Sequence, residues 1–134
     1  MIAALHTSLD APIGEAASFA AARILTGEAL PSIVGARMKQ VDGDGRTIDR
    51  DQQTNEAPDL PLAAASYLNA VIDQLTGTTD ERRDVSKPDL MTWPWDVQAW
   101  KPEDPRENLV KAAALIWAAI DWLDHAPVTE ATHG

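Results

Sequence analysis

Three tryptophans fall within eight residues, in the segment Met91-Thr92-Trp93-Pro94-Trp95-Asp96-Val97-Gln98-Ala99-Trp100-Lys101-Pro102. Indole rings bury large apolar areas, and they also offer flat faces to a planar ligand or to a protein partner. Beside Lys or Arg, such faces suit a nucleobase and its phosphate. Cations do gather here: Lys101, Arg106 and Lys111 follow the tryptophans, and Arg37 lies on an earlier helix. The candidate ligand- or partner-binding set is therefore Trp93, Trp95, Trp100, Lys101, Arg106, Lys111 and Arg37. The competing reading makes the rings packing anchors that cover the core.

Other chemistries find less support. The chain has no cysteine, so disulfides, thiolate metal sites and cysteine nucleophiles are excluded. Its three histidines, His6, His125 and His133, sit near the termini or at a helix end, and His125 reads as a dipole partner. No Gly-x-Ser-x-Gly elbow and no phosphate-cradling glycine loop occurs. Asp42-Gly43-Asp44-Gly45 resembles part of a calcium loop, but Gln40 and Asp51 occupy two coordinating positions, so an Asp-Gly turn is the simpler reading. All-α nucleotide pyrophosphohydrolases hold magnesium with paired carboxylates on facing helices. Here Glu107, Asp121, Asp124 and Asp73 do not supply two such pairs. No catalytic residue, metal or cofactor is expected, and a non-enzymatic role is favoured.

These residues need positioning elements. Of 134 residues 45% are hydrophobic, enough for a core, but 23 are alanine, so the helices must approach closely. Period-two alternation never persists, and the expected fold is all-α: a compact bundle of three to four helices. The helices are expected at Ala11–Thr26, at Ile33–Val41 behind a Ser32 cap, at Pro61–Leu75, and from Pro105 to about Asp124. Asp104 caps the last one, with Glu107 three residues on. Two long polar loops, 42–60 and 76–88, separate them, the second carrying the charge run Asp80-Glu81-Arg82-Arg83-Asp84. Pro94 and Pro102 forbid a continuous helix, so the tryptophan segment forms an ordered strap. Apolar residues repeat as stripes: Ala64, Leu68, Val71, Ile72 and Leu75 on the third helix, and Leu109, Ala112, Ala113, Ile116, Trp117, Ala119, Ile120 and Leu123 on the last. Both stripes are expected to face the core. Residues 1–30 form an N-terminal helical extension, 31–127 the core domain and 128–134 a frayed tail.

The formal net charge is −10, which disfavours direct binding to nucleic acid or to an anionic membrane. No apolar run reaches membrane-spanning length, and the N-terminus lacks a positively charged signal-peptide start. Thin alanine faces bury little area, so homo-oligomerisation is expected to supply more.

From about Ile33 onward the chain resembles a family of small uncharacterised proteins of phages and prophages. The last block carries the likeness: Trp93-Pro94-Trp95, Trp100-Lys101-Pro102, Pro105-Arg106, Leu109-Val110-Lys111-Ala112 and Leu123-Asp124. Leu62-Ala63-Ala64-Ala65-Ser66-Tyr67 agrees as well. The family's first block is degraded: Arg37, Gln40, Gly45 and Asp51 match, but Ala36 replaces Glu, Arg46 replaces Trp, and Gln52 and Thr54 replace Asp and His. The resemblance implies a phage-type origin and a cytoplasmic location in a bacterial host, and brings no activity with it. The resulting expectation is a phage accessory or counter-defence protein that sequesters a small nucleotide-derived ligand at the Trp/Lys/Arg site. The alternatives are an acidic protein that inhibits a host defence protein as a nucleic-acid mimic, and an atypical all-α nucleotide pyrophosphohydrolase.

Overall fold

The expected start of the first helix at Ala11, the run from Asp80 to Arg83 and the tail from residue 128 lie outside the residues described by the structure, a computed structural model, which are 15–77 and 84–125. The chain divides after Pro31 into two units. Within the first, α1 spans Glu15–Thr26 and leaves Phe19, Ile24 and Leu25 exposed.

The fold is all-α, with no strand among the described residues. Helix α2 runs Ala29–Asp42, longer than the expected Ile33–Val41. Pro31 sits in its first turn, where its missing N–H leaves no hydrogen bond unmade, so Ser32 is inside the helix and not its cap. A short α3, Ile48–Thr54, interrupts the stretch expected to be irregular. It has no apolar stripe to announce it. The Thr47 hydroxyl caps it by accepting from the Arg50 N–H at 3.2 Å, with Asp49 and Asp51 in the first turn.

Helix α4 spans Asp59–Thr76 and stops at Gly77, whose φ of 66° is left-handed. A 3-10 turn occupies Val97–Ala99 within the strap. Helix α5 spans Pro105–Asp124, and the Asp104 carboxylate accepts from the Glu107 N–H at 2.8 Å as its cap. Helices α4 and α5 form the main pair. They run antiparallel, because Asn108 at the start of α5 donates to Gln74 near the end of α4 at 3.0 Å. Asn108 is fully buried, and its other polar bonds go to the Glu103 backbone.

The core is built as the alanine content requires. Ala63, Ala64 and Ala70 of α4 and Ala112, Ala118 and Ala119 of α5 are buried together, with Leu60, Tyr67 and Leu115. Trp93 and Trp100 add the bulk that alanine lacks. The strap is tied down: Ser66 and Thr92 share a 2.7 Å hydrogen bond, and the Gln74 amide donates to the Glu103 carbonyl at 2.8 Å.

The expected core stripes are corrected at their largest residues. Val71 is buried, but Leu68, Ile72 and Leu75 of α4 are exposed, as are Leu109, Ile116, Trp117, Ile120 and Leu123 of α5. In α5 Ala112 and Ala119 of the expected face are buried, together with Asn108, Val110, Ala114, Leu115 and Ala118. Small residues win the helix contact because they allow closer approach, and α2 is tied to α5 by the Arg37–Asp121 and Arg106–Ser32 contacts.

Candidate functional site

A cavity of about 590 Å³ opens between α2, the strap and α5. Its aromatic wall is Tyr67, Trp93 and Trp95, and its cations are Lys39, Arg46, Lys101 and Lys111. Asp44, Glu103 and Glu107 are the acidic lining residues. Four cations against three anions leave the lining slightly positive, in a chain whose net charge is −10.

The aromatic wall is rigid. Trp93 meets the Tyr67, Trp95 and Trp100 rings edge-on, at centroid distances of 5.8, 5.3 and 5.0 Å. Each indole N–H of the strap has an acceptor: Trp93 on the Asp96 carbonyl, Trp95 on Asn55 Oδ1 and Trp100 on the Val85 carbonyl. The Tyr67 hydroxyl accepts from the Lys101 N–H at 3.3 Å. Burial raises the Tyr67 pKa above the ordinary phenol range, and the Lys101 hydrogen bond opposes the shift.

Arg46 lies just after Gly45, whose φ of 71° turns the chain out of α2. Its N–H donates to the Gln40 carbonyl at 2.7 Å, and its guanidinium lies 4.1 Å from the Trp95 ring centroid. Burial lowers the Arg46 pKa, and the Asp51 and Asp44 carboxylates pull it back up. Lys111 is held by Glu103 at 3.2 Å and by the Lys101 carbonyl, and stands 5.5 Å from the Tyr67 centroid. Among the described residues, no hydrogen bond or ion pair holds the Lys39 or Lys101 ammonium, and both side chains are exposed at the cavity.

Of the seven residues singled out from the sequence, Trp93, Trp95, Lys101 and Lys111 line this cavity. Trp100 does not, because it stacks on Tyr67 at 4.5 Å behind the wall and is buried there. Arg106 is exposed beside the cavity and bonds the wall residues Ser32 and Glu107. Arg37 is only 5% exposed and is spent on structure: it reaches Asp121 at 3.2 Å, Gln40 at 3.3 Å and the Arg46 carbonyl. Sequence reasoning missed Tyr67, Lys39 and Arg46. Arg46 reaches the wall through the turn at Gly45, which brings its guanidinium over an indole.

Behind Trp95, its hydrogen-bond acceptor Asn55 donates in turn to Asp51 Oδ1 at 3.2 Å. Asp51 is 2% exposed, and its Oδ2 has no hydrogen-bond partner. Burial raises its pKa, against the pull of Arg46 and Arg37. Trp122 and Gln52 lock α3 to α5 through the Asp51 and Trp122 carbonyls. Asp121, one of the carboxylates weighed for a magnesium site, is the Arg37 partner. Among the described residues, no three His, Cys, Asp or Glu side chains converge as a metal site. No helix there is long and apolar enough to cross a membrane.

The arrangement can hold a compact anion against an aromatic wall, between exposed ammonium groups and a guanidinium over the Trp95 ring. No protein-family model matches the chain, nor does any curated protein or solved structure.

Proposed function

We propose that this chain is a non-enzymatic binding protein of phage type that sequesters a small nucleotide-derived anion in the cavity beside the tryptophan strap. The observation that carries this reading is the grouping of Lys39, Arg46, Lys101 and Lys111 around Tyr67, Trp93 and Trp95 in a strongly acidic chain. In the bound state Lys39 and Lys101 meet the phosphate, and the planar base lies along the Trp95–Arg46 stack. Trp93, only 8% exposed, contributes a wall and not a stacking platform. A volume of about 590 Å³ lies within the usual range for small-molecule sites. The likeness to phage and prophage proteins favours a counter-defence role, in which removal of a signalling nucleotide in the cytoplasm of a bacterial host is the useful act.

The test is isothermal titration calorimetry with mononucleotides, cyclic mononucleotides and cyclic dinucleotides, in parallel with the free nucleosides. The reading expects saturable binding of at least one phosphorylated member, at least tenfold weaker binding of its nucleoside, and recovery of the ligand unchanged. Heat of dilution alone across the whole panel would overturn it.

A further inference from the structure

We infer that the outer face of the α4–α5 pair is a dimer interface, and that its occupant is a second copy of this chain. The face consists of Leu68, Ile72 and Leu75 on α4 and Leu109, Ile116, Ile120 and Leu123 on α5. Leu75 and Leu123 are 69% and 64% exposed, and Ile72 and Ile120 are 56% and 53% exposed. In each helix the stripe lies roughly a quarter turn beyond the residues that face the other helix. Because the two helices run antiparallel, that same rotation brings both stripes to one side of the pair. The other side carries Ser66, Val110 and Lys111, which face the strap and the cavity. The apolar face and the ligand cavity are therefore separate, and the inference does not rest on the proposed ligand.

Three observations select a second copy. The spacing is that of a helical seam. Leu109, Ile116 and Leu123 are seven residues apart with Ala113 and Ile120 between them, and Ala65, Leu68, Ile72 and Leu75 repeat the same rhythm on α4. A seam of this period is filled by other helices packing at a shallow angle. The area also fits: the exposed parts of these seven side chains amount to on the order of 700 Å², near the roughly 800 Å² per partner of a stable interface and above the largest patch usual on a monomer. Neither stripe contains a charged residue, so pairing it desolvates no ion. Two copies related by a two-fold axis place the same face on itself and close a four-helix arrangement, as an isologous interface requires.

Sedimentation equilibrium on the full chain, from 1 to 100 µM, tests this. The expected species has twice the 14.5 kDa chain mass. Ile72→Glu and, separately, Ile120→Glu should raise the dissociation constant at least 100-fold while the far-ultraviolet circular dichroism is retained, since both residues are exposed in the single chain. Met91→Glu, at an exposed position in the strap and outside the face, should leave the dimer intact. A monomer at every concentration overturns the inference. So does a dimer that survives both charged substitutions with its helical signal unchanged.

Discussion

The Arg46 guanidinium lies 4.1 Å from the Trp95 ring centroid, and the N–H of that same indole is bonded to Asn55. The loop after α2, helix α3 and the strap are thereby joined at one ring. Removing the cation should be felt in stability as well as in binding. Arg46→Ala is expected to cost about 1 kcal/mol in urea denaturation, the usual size of a partly desolvated cation–π contact. Arg46→Lys should recover only part of it, since an ammonium cannot lie flat on the ring. Equal stability of wild type and Arg46→Ala would show that the contact contributes nothing.

Tyr67 is the chain's single tyrosine, so its ionisation can be read without interference. Its pKa is raised by burial, so in the folded state it stays neutral while an unfolded tyrosine ionises. The midpoint of the phenolate absorbance should therefore lie above the ordinary value of 10.0. The linkage follows in sign: below that value Tyr67 leaves stability unchanged, and above it the unfolded state gains by losing the proton, so stability falls. A free titration at the ordinary value, with the helical signal intact, would contradict the buried hydroxyl.

Asp51 has a raised pKa for the same reason, against an ordinary value of 3.8. The unfolded chain ionises this carboxyl first as the pH rises, so at neutral pH the buried charge lowers stability. Asp51→Asn should raise the melting temperature at pH 7, and the gain should shrink as the pH falls through the acid range where both states become protonated. A loss at pH 7 would mean that attraction to Arg46 and Arg37 outweighs burial.

The Arg37–Asp121 pair joins α2 to α5 with the guanidinium almost fully enclosed. Asp121→Asn leaves that cation without its counter-charge, and should cost about 3 kcal/mol, at the low end for a buried pair because Asp121 retains some contact with water. Thermal or urea unfolding measures it. A change within 0.5 kcal/mol, on the order of an ordinary surface substitution, would contradict the buried-pair reading.

Local rules carried much of this fold into the sequence. The Asp104 cap with Pro105 behind it and the proline-broken strap each depend on residues within a few positions of one another, and each is where those rules put it. Helix α3 escaped because it is held by polar contacts to α5, Gln52 and Asp51 with Trp122, which leave no apolar rhythm. The helix faces were legible only in part. Hydrophobicity alone ranks every Leu and Ile as a core residue, whereas close packing of α4 on α5 takes alanines with Leu60, Val71 and Leu115 and leaves Leu68, Ile72, Leu75, Ile116 and Ile120 outward. The site was legible as chemistry but not as geometry. Trp93, Trp95, Lys101 and Lys111 are neighbours in sequence and meet at the cavity, while Tyr67, Lys39 and Arg46 reach it only through the pairing of distant segments.

The most direct measurement is the indole N–H region of a nitrogen–proton correlation spectrum during nucleotide titration. Five tryptophans give five assignable signals. With the nucleotide that binds, the Trp95 and Trp93 signals should shift in a saturable way, while that of Trp117, exposed on α5 and outside the cavity lining, stays in place. Five unmoved signals across the nucleotide panel, or movement of Trp117 alone, would contradict a ligand site beside the strap.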